Sequence, residues 1–146
     1  MNATSPSKTI RGGIVYFALV FGTGFLLGSV RVPFIVPRIG QRYAELAEMP
    51  LMFAAIFFAS RHVLHKYCHK TDSGGLIGIG VIALLLLVGA ELLLAVLLAG
   101  RGVGEYIASK DKVSGSVYLT MLLVFAAMPW LQARNQNSAP PADREP

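Results

Sequence analysis

The sequence predicts an all-α fold, a polytopic membrane protein built as a bundle of four transmembrane helices. Two observations carry that expectation. Hydrophobic residues make up 54% of the 146-residue chain and charged residues only 14%, against about 25% charged in a soluble domain. The shortage of charge is also local, because several long runs contain almost none. Water is a poor solvent for such runs and hydrocarbon a good one.

Composition excludes several classes. The net charge is +5, which in a soluble domain would raise the question of nucleic acid. Here the basic residues stand at the edges of apolar runs, the pattern of topology signals and anionic-lipid contact. The expected partner is the lipid bilayer and not nucleic acid. A homo-oligomer or a second membrane protein is left open. With one cysteine, Cys68, an intrachain disulfide is impossible, so a disulfide-stapled extracellular domain is excluded.

The chain divides into a basic tail over 1–11, expected to be disordered, a transmembrane domain over 12–132, and a disordered C-terminal tail over 133–146. The spans fall at about 13–33, 45–64, 75–99 and 115–132. The first apolar run is longer than a signal-peptide core, and no A-x-A cleavage pattern follows it. Pro33 and Pro37 are expected to kink or end this helix, since each lacks a donor and clashes one turn back. Pro50 fits best in the first turn of the second span. The stretch 61–75 gathers charge, histidine and glycine and reads as a loop. The third run, with Leu84-Leu85-Leu86-Leu87 and a lone charge, Glu91, is the clearest span. Residues 105–112 read as a short interfacial helix. Tyr118 and Trp130 suit interfacial anchors at the two ends of the last span. No internal repeat is visible, so an inverted-repeat transporter is not supported.

Charges within these helices are the candidate site. A charge at a helix centre costs about 2.5–3.5 kcal/mol on insertion scales, so it persists where it meets water or a partner. Arg31 lies near the end of the first span, Glu48 near the start of the second, and Glu91 past the middle of the third. Threading alternate helices in opposite directions puts all three in the same half of the bilayer. There the low dielectric rewards pairing. Two readings stay open: the trio fixes helix register, or it forms an ion or proton site. Gly24 and Gly28 form a G-x-x-x-G, repeated by Gly74 and Gly78. That spacing permits close helix approach and is expected to pack the first helix tightly.

His62, His65, Cys68 and His69 fall close together and on a helix would share one face, where they could ligate zinc or copper. Their spacing matches no known metal site. They read as a basic and aromatic juxtamembrane edge continued by Arg61, Lys66, Tyr67 and Lys70, so no metal is expected. No histidines pair across the spans to hold haem, so no cofactor is expected. No nucleophile–base pair or phosphate loop is visible, so the chain reads as a non-enzyme.

Gly24-x-x-x-Gly28-x-x-Arg31 resembles the first helix of small four-helix fluoride channels over that short stretch alone. The asparagine motif of that family's second helix is missing, and Glu45-Leu46-Ala47-Glu48-Met49-Pro50 stands there instead. The glutamate that small multidrug transporters carry in their first helix is also missing. Over most of its length, and in GSVRVPFIVPRIGQRYAELAEMPLM above all, the chain resembles small bacterial four-helix inner-membrane proteins of no known activity. That resemblance implies a multi-pass protein of the inner membrane. With Arg31 set aside as intrahelical, the remaining Lys and Arg point both termini to the cytoplasm. The expected role is structural or interactive; the alternative is a small ion or proton channel or transporter using Arg31, Glu48 and Glu91.

Overall fold

In hydrocarbon every backbone donor and acceptor must find a partner within the protein, which leaves a single chain of apolar runs little choice but helix. The computed structural model describes residues 5–67, 73–100, 102–108 and 112–137. Over these residues the fold is all-α. Helix α1 spans Pro6–Val30 and passes through a π-helical turn, Arg31–Ile35, into the short α2, Val36–Ile39. Helix α3 spans Gln41–Tyr67, α4 Ser73–Ala99, α5 Val103–Ala108 and α6 Lys112–Asn137. Four of these segments are long and apolar enough to cross a membrane: Pro6–Ile39, Gln41–Tyr67, Ser73–Leu97 and Gly115–Gln136. Their outer surfaces are hydrocarbon, with Leu26, Phe58, Leu85, Leu97 and Leu123 all exposed. The chain is a membrane-spanning four-helix protein.

Helix α1 begins at Pro6, inside the stretch that the sequence assigned to a disordered tail. Pro6 occupies a first-turn position, where its missing N–H costs nothing. Pro33 and Pro37 do not end the helix. The turn that holds Pro33, Arg31–Ile35, widens, and the Val36 amide bonds to the Arg31 carbonyl five residues back. A π turn enlarges the ring by one residue and relieves the proline clash with the preceding turn. The resulting 34-residue segment is about 51 Å long at 1.5 Å per residue, well beyond a hydrocarbon core of about 30 Å. It ends at Gly40, whose φ of 82° suits only a residue without Cβ. That one glycine reverses the chain into α3. Gly100, with φ 58°, closes α4 in the same left-handed region.

Helix α3 is longer than expected at both ends, so Arg61–Tyr67 is helix and not loop. Pro50 lies well inside it, not in its first turn, with its ring exposed. The short helix α5 falls at Val103–Ala108, slightly ahead of the expected stretch.

The spans form a ring in which α1 packs on α3 and α4, and α6 on α4 and α3. The core lies in the half of the bundle nearest the termini. Tyr16, Val63, Ile79, Ala83, Phe125 and Met128 are buried together there. Glycine sets the helix spacing in this half. A Cβ on Gly13 would stand 2.8 Å from Ile82 Cγ2, and one on Gly80 would overlap the Ala126 carbonyl. The Gly24/Gly28 pair behaves differently from expectation. Gly24 touches only the end of Met52, and Gly28 has nothing within 4 Å of where its Cβ would be. The close approaches of α1 fall at Gly12 and Gly13 instead. In the second motif Gly78 abuts Thr9 while Gly74 is open.

The ring is also crossed from α1 to α6. Tyr16 of α1 stacks on Phe125 of α6, with centroids 4.5 Å apart and planes at 15°. Its hydroxyl donates to the Phe125 carbonyl at 2.8 Å. That carbonyl is the one whose helical donor would come four residues later, where Pro129 stands inside α6 without an N–H. The phenol supplies what the proline lacks, a rescue typical of membrane helices. Tyr16→Phe should therefore strand a buried carbonyl and cost about 1–3 kcal/mol in detergent thermal unfolding. In a Pro129→Ala background the helix donor returns and the same substitution should cost markedly less; an equal penalty in both backgrounds would refute the assignment.

Candidate functional site

The half of the bundle away from the termini is not filled. Between α1, α3, α4 and α6 lies a cavity of about 760 Å³. Its floor is the upper edge of the core: Val20, Ile56, Leu87 and Phe125 belong to both. From Val20 to Pro33 its wall follows roughly 20 Å of α1. It is a vestibule reaching about half way through the bundle.

Sequence position explains which residues line it. Gly24 and Gly28 turn toward it from α1 and, lacking side chains, leave the space open. Arg31, three residues after Gly28 and seven after Gly24, falls on the same wall by regular helical spacing. Glu45 and Glu48 lie on the first turns of α3, which leaves Gly40 at this end of the bundle. Glu91 comes from the last third of α4, and Tyr118 from the start of α6. The expected even–odd threading is what gathers them.

The structure brings Arg31 and Glu48 into direct contact, Nη1 to Oε2 at 2.8 Å. Their side chains are 23% and 13% exposed, so the pair is largely desolvated and is not a surface bridge. The Arg31 Nε is shielded from solvent and has no acceptor among the described residues. Glu91 is met from another direction, with the Tyr118 hydroxyl donating to its Oε2. The trio is thus one ion pair and one hydrogen-bonded carboxylate on the walls of the same cavity. Glu45, at the mouth, accepts from Gln41 Nε2 at 3.1 Å.

Two lining residues carry roles that the sequence reading did not give them. Tyr118 was expected to anchor the helix at the interface, but it binds Glu91 inside the vestibule. Glu45 was named only within the Glu45–Pro50 stretch and given no role of its own. The signal for Tyr118 was its place one turn into a span whose partner helix carries an acid at matching depth. Trp130 sits at the other end of α6 with the Arg134 guanidinium 5.5 Å from its ring, as an interfacial anchor would.

His62 and His65 are exposed on α3, on either side of the buried Val63 and Leu64; Cys68 and His69 lie outside the described residues. Among the described residues no three His, Cys, Asp or Glu side chains come together to hold a metal ion. No family model, no curated protein and no solved structure matches the chain. The fold and the vestibule therefore define its class: an all-α membrane-spanning protein with a charged cavity open in one half.

Breaking one member of a buried pair is worse than losing both, because the survivor is left uncompensated. Arg31→Met alone or Glu48→Met alone should lower stability in detergent by about 3–5 kcal/mol, and the double replacement should recover most of it. Single variants as stable as the wild type would mean that water in the vestibule, and not the partner, solvates these charges.

Proposed function

We propose that the protein is a small membrane channel or transporter whose solute site is the vestibule bearing Arg31, Glu48 and Glu91. The observation that carries this reading is the open volume itself, about 760 Å³ beside a half that is closely packed. Protein interiors are normally filled to crystal-like density. A bundle whose only task was to hold its own helices together would gain from filling this space with side chains. Here glycines keep it open, and charged groups that are costly in a bilayer line it. In membrane helices such groups mark solute and ion pathways. The Tyr16–Phe125 stack stands at the floor, where a barrier between the two membrane faces would have to be.

A second reading keeps one specific support. The Arg31–Glu48 contact joins α1 to α3 and would serve equally as a clamp in a protein of purely structural or interaction role.

The inner membrane of a bacterium, with both termini in the cytoplasm, is the location we favour. Among the described residues the terminal end of the bundle carries Lys8, Arg11, Arg61, Lys66 and Arg134 with no acid. The described acids Glu45, Glu48, Glu91 and Glu105 all belong to the opposite half or its connections. With Arg31 set aside in the vestibule, the opposite end carries Arg38, Arg42 and Lys112 among the described residues, and an excess of Lys and Arg is what favours the cytoplasmic side and meets anionic headgroups.

Reconstituted proteoliposomes test the transport reading. With a trapped pH dye and an imposed gradient, wild type should carry protons or counter-ions faster than protein-free vesicles. Glu91→Gln, reconstituted to the same level, should lose at least about tenfold of that rate, a change of about 1.4 kcal/mol in barrier. No flux by wild type, together with loss of folded protein in the variant, would favour the purely structural role.

A further inference from the structure

We infer that the vestibule takes a bulky organic cation, one with a single delocalised or quaternary positive charge on an apolar body. This rests on the reading of the vestibule as a solute site and names what enters it.

The charges of the lining set the sign. Glu48 and Glu45 from α3 and Glu91 from α4 face Arg31 from α1, with the neutral Tyr118 from α6. Three carboxylates against one guanidinium leave a formal excess of two negative charges. Arg31 is already in contact with Glu48, so its charge is partly spent within the wall. An anion of any size would enter against that excess.

The spacing of the acids argues against a compact metal ion. Calcium or a transition metal needs several ligands converging within about 2–2.6 Å of one point. The lining acids stand on two different helices, Glu45 and Glu48 on α3 and Glu91 on α4, and among the described residues no three His, Cys, Asp or Glu side chains group to hold an ion. Spread-out negative charge in a large volume suits a ligand whose own charge is dispersed or sterically shielded. The volume of about 760 Å³ lies within the range of roughly 300–1,000 Å³ typical of organic-ligand sites, and is far larger than a bare ion or proton requires.

The remaining wall fits the apolar body. Phe21, Phe25 and Phe125 present aromatic surface, which attracts quaternary and delocalised cations through the ring quadrupole. Met49, Met52 and Met121 add flexible, polarisable surface that adapts to varied shapes. Carboxylate, arene and thioether together make a site for a greasy cation.

Tetraphenylphosphonium and tetraphenylborate share a shape and differ in the sign of charge. Each is titrated calorimetrically into the purified full chain in detergent, with protein-free micelles subtracted. Tetraphenylphosphonium should show a saturable component that tetraphenylborate lacks. Glu91→Gln should weaken it about tenfold or more, the equivalent of one lost charge contact. Gly28→Phe should abolish it without touching a carboxylate, since a side chain there starts in open space; an unchanged melting curve confirms that this variant is folded. An unchanged affinity in Glu91→Gln overturns the inference. So does tetraphenylborate binding that Gly28→Phe removes, but that outcome leaves the solute site standing and reverses only its charge preference. Binding of neither probe that responds to Gly28→Phe overturns the inference and the solute-site reading together.

Discussion

The bundle depends on a carbonyl that its own helix cannot satisfy. Pro129 interrupts α6 at full burial, and hydrocarbon offers the Phe125 oxygen no water in compensation. Tyr16 reaches it from the helix diagonally across the ring, and the two rings stack as they meet. A hydrogen bond and an aromatic contact thus fix α1 against α6 at one depth. The glycines then decide how close the other pairs come. Gly13 admits Ile82 and Gly80 admits the α6 backbone, so α4 closes on both α1 and α6 just beside that crossing. Packing in this half is determined by backbone proximity, not by a broad apolar stripe. Every face of these helices is apolar, and apolarity alone cannot tell a neighbour from a lipid tail.

The other half follows different rules. Helices clasped at one end and joined at the other only by their connections, Gly40 between α2 and α3 and the α5 stretch between α4 and α6, are free to leave space between them. The charges that line this space are tolerable because each has a protein partner: Arg31 has Glu48, Glu91 has Tyr118 and Glu45 has Gln41. Desolvation limits how much such pairs add to stability. Their more secure consequence is orientation, since each bond aims a polar group at the cavity and away from lipid.

Much of this was legible in the sequence, and the reasons are specific. Spans show as runs without charge. Once their number is even, the depth of any residue follows from counting, which is how Arg31, Glu48 and Glu91 could be assigned to one half. Helix ends were less legible, because Pro6 and Arg61–Tyr67 have polar compositions that helices at an interface share with loops. Pro33, Pro37 and Pro50 were read by their cost to an isolated helix, yet a π turn carries the first helix through Pro33 and α3 continues through Pro50. What could not be read was pairing across the bundle. Nothing local to Tyr118 announces Glu91, and nothing local to Tyr16 announces Pro129. The G-x-x-x-G spacing failed for a related reason: it records where side chains are missing, and that serves a cavity wall as well as a tight crossing.

The π turn at Arg31–Ile35 has a consequence for phase. An α-helix turns 100° per residue, and a π turn amounts to one residue more than the regular winding needs. Side chains before Arg31 and after Ile35 are therefore out of step by about that angle. Wound as a regular α-helix, the same residues would swing the Val36–Ile39 segment around the helix axis by about that angle, carrying Gly40 and the entry of α3 to another side, whereas deleting one residue of the stretch would restore regular winding and leave them in place. The insertion thus behaves as an angular spacer between the first helix and the hairpin that follows it.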